Sequence, residues 1–431
     1  MKIGDLCAIM NAFSSIVLSL LLMVPLCGYA QQKYENRIYA PRIQTLQATL
    51  LGDELSDPIL RLESEDKIEV SFDLMSKAPN DYSYSLIHCN ADWTPSQLLE
   101  MEYMKGFNDN TIDDYEPSFN TTFDYTHYAI QIPNEKVAPI VSGNYILKVY
   151  ETDAPEKVVL TAQFMVVENS AVFVSGRVAS NTSRGVNTAY QLLNFTINTE
   201  KSSIASPSED LKLLIRQNGR RDNEVRDVKP TYVKVNELIY EDNRQLEFEG
   251  GTEYLRIDFS HIRNYSGQID RISFHHPYYN VDVVPGARRR LNEYKYDKDV
   301  NGRYKVHGQD IWTDLEIDYS IVHFTYPCED PWLDGSLYVV GYFNDNVLNG
   351  RNQMTYNFDR KQYELDIVLK NGGYNYQYLF LPYGKKEATS QRTAGSYWET
   401  ENEYTIYVYY SPHGARYDRL LNVTTLSSVN K

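Results

Sequence analysis

Alternation with a period of two runs through most of this chain and constrains it to strands. "KIEVSFDL" (67–74) sets Ile68, Val70, Phe72 and Leu74 on one face and Lys67, Glu69, Ser71 and Asp73 on the other. That is the pattern of a strand with one buried and one solvated face. "YSYSLIHC" (82–89), "YTHYAIQI" (125–132), "GNYILKVY" (143–150) and "VVLTAQFMVV" (158–167) continue it, with turn-rich spacers such as "SKAPND" and "ETDAPEK" between them. Six or seven short strands in about 130 residues predict an immunoglobulin-like sandwich. The spacer at 90–124 is longer than a hairpin turn requires, so it must pack on something. Its aromatics Trp93, Tyr103, Phe107, Tyr115 and Phe119 fit two uses: covers for the open end of their own sandwich, or anchors for a partner.

The pattern repeats downstream. A second strand set runs from "AVFVSGRVAS" (171–180) through "LKLLIRQNG" (211–219), "EYLRIDFS" (253–260) and "DRISFHH" (270–276) to about residue 320. A third contains "SLYVVGYF" (336–343), "KQYELDIVLK" (361–370), "YNYQYLFL" (374–381) and "EYTIYVYY" (403–410), with Gly372-Gly373 read as a hairpin turn. The expected architecture is all-β: serial immunoglobulin-like and early-set β-sandwiches over 31–168, 169–317 and 318–431.

Composition narrows the partners. A formal net charge of −16 over 431 residues argues against nucleic acid and anionic lipid, which recruit basic surfaces. Tyrosine is abundant at 37, and suits half-buried strands and contact surfaces. At the N-terminus, Lys2, the apolar run "IVLSLLLMV" (16–24) and the small residues Gly28 and Ala30 read as a signal peptide cleaved after Ala30. Leu26 stands where a lipobox before Cys27 needs Gly or Ala, so the mature chain is expected to begin at Gln31 without a lipid. Cys89 and Cys328 lie far apart and fall in different sandwiches, so they are expected not to bridge.

Each enzymatic constellation fails on spacing. There is no Gly-x-Ser-x-Gly elbow, no His-Glu-x-x-His pair and no phosphate-binding Gly-x-x-x-x-Gly-Lys loop. His275 and His276 are adjacent, so in a strand they face opposite ways and cannot share a metal. "CEDPW" (328–332) lacks further ligands, and the arginines of "GARRRLNEY" (286–294) read as a solvated face. No catalytic residue, metal or cofactor is expected, and no small-molecule substrate.

Two resemblances go further. "YVVGYFND", "MTYNFDRKQYELDIVL" and "NGGYNYQYLF" resemble the early-set modules of starch- and glycogen-binding proteins. Those modules follow "FN" with a tryptophan that stacks on a glucose ring, whereas "FNDNVLNGRNQM" has none, so the sandwich is expected without its sugar site. An exported glycan-binding protein is therefore the second reading of the chain. "YSYSLIHCNADWTPSQLLEMEYMKGFNDNTIDDYEPSFNTTFDYTHYAIQIPNE" (82–135), followed by "SGNYILKVYE" (142–151), resembles the first domain of the type IX secretion system plug proteins of Bacteroidota. "LLIRQNGR", "DYSIVHFTY" and the tail "YVYYSPHGARYDRLLNV" (407–423) are similar to that family's middle and end. The resemblance implies a periplasmic protein that docks on the giant outer-membrane translocon barrel, seals its pore at rest, and meets the membrane through that barrel alone.

Overall fold

Leu74, Phe72, Val70 and Ile68 are all buried, as their alternation demands, and Phe72 stacks on Tyr128 at 5.1 Å in the core of the first sandwich. The computed structural model describes residues 33–183, 185–186, 188–265, 267–286, 294–309 and 311–429. The expected leader, Cys27, Ala30, Gln31 and the arginines 288–290 lie outside them. The structure is almost entirely β, in several separate sheets.

The first sandwich packs a six-stranded sheet on a four-stranded one. The larger sheet runs Arg37–Ile38, Ala154–Val167, Gly143–Glu151, Tyr82–Cys89, Asn110–Thr111, with Ile59–Arg61 added in parallel to Ala154–Val167. The smaller runs Ile43–Leu50, Ile68–Leu74, Thr126–Ile132, Tyr115–Pro117. The polar face of Ile68–Leu74 departs from expectation, because Ser71 and Asp73 are buried rather than solvated. The third sandwich covers that face. Lys370 Nζ lies 2.7 Å from Asp73 Oδ2 and 4.2 Å from the centroid of the Tyr125 ring, and the Tyr319 hydroxyl donates to Asp73 at 2.7 Å.

The remaining strands do not divide in series at residue 317. The second sandwich has one sheet of Phe173–Ala179, Tyr190–Asn198, Glu237–Tyr240 and Tyr232–Val233, with Glu247–Glu249 beside Tyr190–Asn198. Its other sheet runs Val225–Arg226, Leu211–Gln217, Glu403–Tyr410, Arg419–Ser427. The C-terminal hairpin, expected in the third sandwich, thus completes the second, and Tyr404, Ile406, Val408 and Leu421 share a core with Leu213 and Ile215. Conversely, Leu255–Asp258, Ile269–His275, Tyr278–Val283 and Tyr304–Val306, expected in the second, pair with strands of the third. The third sandwich is an insertion within the second. Period two reports which residues face a core but not which distant strand lies alongside.

Gly372-Gly373 is not a hairpin turn. Gln362–Lys370 pairs with Tyr319–Pro327, while Gly372–Pro382 pairs with Leu255–Asp258, Tyr304–Val306 and Gly335–Val340, so the chain crosses between sheets at Asn371. Gly372 is needed because a Cβ there would lie 2.3 Å from the Lys305 carbonyl oxygen. Cys89 and Cys328 are both free thiols, and burial pushes the Cys89 thiol up to about 12. Tyr34–Lys431 form one compact unit. The second sandwich is tied to the first by Arg419 on Glu168 (2.6 Å) and to the third by Arg303 on Glu403 (2.8 Å).

Candidate functional site

The string His-Cys-Asn-Ala-Asp-Trp ends one core strand and turns the chain into the 90–124 insertion. The Trp93 amide donates to the Asn90 carbonyl at 2.9 Å, and Asp92 Oδ1 accepts from the Thr94 amide and hydroxyl at 3.0 and 2.6 Å. His88 is buried with Nε2 3.1 Å from the Ser142 carbonyl, and burial pushes its pKa down to about 4, so the ring stays neutral. Trp93 is 4% exposed and packs with Cys89, Ile146, Met165, Leu214 and Tyr407 in a cluster joining the first and second sandwiches.

Beyond the turn, a short helix Glu100–Tyr103 leads into Met104–Gly106, which pairs antiparallel with Val137–Pro139. Tyr103 is buried; its hydroxyl donates to the Leu86 carbonyl at 2.9 Å, and its own carbonyl accepts from Tyr145 at 3.0 Å. Asn108 closes the segment by donating to Glu100 Oε1 at 2.7 Å and accepting from the Leu86 amide at 2.7 Å. Arg416, on the turn of the C-terminal hairpin, pairs with Glu102 at 2.6 Å and donates to the Gln97 carbonyl at 2.8 Å. The Arg416 guanidinium holds the Glu102 carboxyl down at about 2.

On this braced segment three large apolar side chains face outwards: Leu99 at 65%, Met101 at 80% and Phe107 at 80% exposure. Their backbone is fixed, with the Phe107 amide donating to the Lys136 carbonyl at 3.2 Å. The backbone that carries them is pre-ordered, so covering these side chains costs little chain entropy.

The five aromatics singled out in the sequence are not brought together. Trp93 and Tyr103 are core residues and have no surface to offer a partner, which corrects their reading as contacts. Tyr115 is partly exposed on an edge strand, its ring 5.4 Å from Tyr128. Phe119 lies elsewhere, at the seam with the third sandwich, where its amide donates to the Leu315 carbonyl at 3.3 Å. There Glu316 accepts from the Asn120 side chain and from the Trp312 amide, both at 2.7 Å, so Phe119 shares an exposed rim with Trp312. Leu99, Met101 and Trp312 were missed. "LLEMEYM" (98–104) did carry a signal: it has more apolar residues than one helical turn can bury on a single face.

The slot where sugar-binding modules carry their tryptophan faces inwards. Asp345 accepts from Asn36 of the first sandwich at 2.5 Å, and Asn346 donates to the Asn218 carbonyl of the second at 3.5 Å. Among the described residues there is no group of three or more His, Cys, Asp or Glu side chains placed to hold a metal, and no helix long and apolar enough to cross a membrane.

The family model described as the type 9 secretion system plug protein 1st domain matches residues 43–168. The crystal structure of a hypothetical protein from Parabacteroides merdae ATCC 43184 is similar along nearly the whole chain. It has 43% sequence identity and a TM-score of 0.89, over 92% of this chain and 100% of that one. An alkylpurine DNA glycosylase from Pseudomonas fluorescens aligns at 13% identity over 29% of this chain and 30% of its own, with a TM-score of 0.17, and carries no argument. No curated protein matches.

Proposed function

The chain belongs to the type IX secretion system plug protein family, and from that premise we propose that it is a periplasmic plug that docks on the outer-membrane translocon barrel and seals it at rest. Membership gives a role in type IX secretion and a place in the cell envelope, in a family not known for catalysis. The barrel, the sealing, the periplasm and the cleaved leader belong to the proposal.

One observation carries it: a braced three-sandwich body whose 90–124 insertion holds Leu99, Met101 and Phe107 out to solvent on an ordered backbone. A plug must resist deformation and still leave its seat, which calls for rigid domains and a moderate interface rather than for chemistry. Large apolar side chains held out to solvent on a fixed backbone are candidates for a contact surface. Tyr115 and the Phe119–Trp312 rim are secondary candidates on the same grounds.

Affinity capture from detergent-solubilised outer membranes tests the reading. The wild-type protein should retain a very large barrel. Replacing Met101 and Phe107 by Ser should leave the fold within about 0.5 kcal/mol, as exposed substitutions do, and lower barrel capture at least tenfold. Tyr103→Ala should instead cost about 3–5 kcal/mol of stability, since it empties a core position. Undiminished capture by the double variant would remove these side chains from the interface; no barrel with the wild type would sink the docking reading itself.

A further inference from the structure

We propose that the cavity where the three sandwiches meet binds a small oxyanion, a carboxylate or phosphate, held by Arg221, Tyr342 and Tyr407. The cavity measures about 130 Å³. A lone structural water needs only about 10–15 Å³ by the same measure, so there is room for a group several atoms across. The first sandwich supplies apolar side chains such as Phe164 and Met165 together with polar ones that include Asp57 and Gln163, while the arginines come from the other two.

Three arginines line it, and two are paired with carboxylates, although the Nε of Arg303 is buried without a hydrogen-bond partner. Arg216 pairs with Glu224 at 3.0 Å, and Arg303 with Glu403 at 2.8 Å and Asp57 at 3.4 Å. Arg221 reaches only Asp345, at 4.0 Å, beyond hydrogen-bond length, and that carboxylate already accepts from Asn36 at 2.5 Å. Among the described residues no protein acceptor takes a hydrogen bond from the Arg221 guanidinium. The same holds for the hydroxyls of Tyr342 and of Tyr407, a side chain only 5% exposed. A guanidinium and two phenols thus face one partly open space with no protein acceptor, where water or a bound oxyanion can take their hydrogen bonds.

Local geometry places Arg221 there. Its neighbour Arg220 is committed to Asp222 at 2.6 Å and to the Ala388 carbonyl at 2.7 Å. The turn through Asn218 and Gly219 has positive φ at both, and a Cβ on Gly219 would lie 2.2 Å from the Tyr342 hydroxyl. Burial, with Arg216 alongside, holds the Arg221 guanidinium below the usual arginine range despite Asp345, Glu224 and Glu35 nearby. Asp57, Asp345 and the rim residue Glu54, which pairs with Lys305 at 3.2 Å, also line the space. They disfavour a multiply charged ligand, so one guanidinium matched to one oxyanion fits the site. A bound anion would touch all three sandwiches and brace their junction.

Thermal unfolding and calorimetric titration with sodium acetate and with inorganic phosphate, against sodium chloride at equal ionic strength, test this. At least one oxyanion should bind saturably and raise the melting temperature by a few degrees above the chloride control. Arg221→Gln should weaken that binding at least tenfold, and Tyr342→Phe severalfold with the fold kept. Which probe binds separates the carboxylate source from the phosphate source. No response above chloride, or an unchanged response in both variants, overturns the proposal. If Arg221→Gln fails to fold, Tyr342→Phe and Tyr407→Phe decide, and full binding in both overturns it. The barrel interface is not involved, so neither outcome bears on docking.

Discussion

A chain ending at Glu401 is expected to lose its second sandwich and keep a folded core in the third. Removing residues 402–431 takes out the strands Glu403–Tyr410 and Arg419–Ser427, leaving Leu211–Gln217 paired only with the two-residue strand Val225–Arg226. Tyr404, Ile406, Val408 and Leu421 leave the second core. Large side chains contribute about 1.5–3 kcal/mol each when buried, so the loss is on the order of 10 kcal/mol, comparable to the whole stability of a domain. The junction with the first sandwich weakens too, because the Tyr409 hydroxyl donates to buried Asn144 at 2.9 Å. Calorimetry and limited proteolysis should show cleavage within 171–250 and protection of 319–382. Protection of 171–250 with cleavage across 319–382 would instead support a serial division of the chain.

Lys370→Met is expected to destabilise the protein by about 3–5 kcal/mol, because it strands the buried Asp73 carboxylate. His127 at 2.6 Å and Tyr319 at 2.7 Å would still contact that carboxylate, but neither replaces the ammonium. Adding Asp73→Leu should recover most of the loss, since a well-packed apolar pair can match a buried ion pair. The pH dependence has a definite sign. Burial works to raise the Asp73 pKa, but Lys370 and His127 outweigh it and hold the carboxyl below the usual carboxylate range. A depressed carboxylate stabilises the fold above its unfolded pKa, about 3.9, and loses that contribution as pH falls through the folded value. With Lys370 gone, burial raises the Asp73 pKa in the variant. The gap between wild type and Lys370→Met in urea unfolding should therefore be largest at neutral pH, begin to narrow as pH falls through the variant's raised value, and go on narrowing until Asp73 is protonated in the wild type too. A gap that stayed constant into acid would mean that this ion pair does not join the sandwiches as described.

Much of the fold was legible because local alternation specifies strands. Ile68, Val70, Phe72 and Leu74 read correctly as one buried face, and the all-β class followed from repeats of that pattern. What alternation leaves open is the covering of the other face. Asp73 reads as solvent-facing and proves to be an inter-sandwich ion-pair partner, because Lys370 lies 297 residues away. The C-terminal hairpin was misplaced for the same reason: its partner strand Leu211–Gln217 lies on the far side of an inserted domain. Aromatic content marked the 90–124 insertion as important but did not separate Trp93 and Tyr103, which serve the core, from Phe107, which serves the surface. That distinction depends on tertiary neighbours such as Leu86, Tyr145 and Tyr407. The three-sandwich cavity was not legible at all, because Arg221, Tyr342 and Tyr407 are brought together only by the packing of the second and third sandwiches.

Planar-bilayer conductance of the purified translocon barrel is the most direct measurement of the central claim. Adding the wild-type protein at near-stoichiometric amounts should close the open barrel. The Met101→Ser/Phe107→Ser variant should need at least ten times more protein for the same closure. A barrel that stays fully conducting while the wild-type protein is demonstrably bound to it would contradict the sealing function.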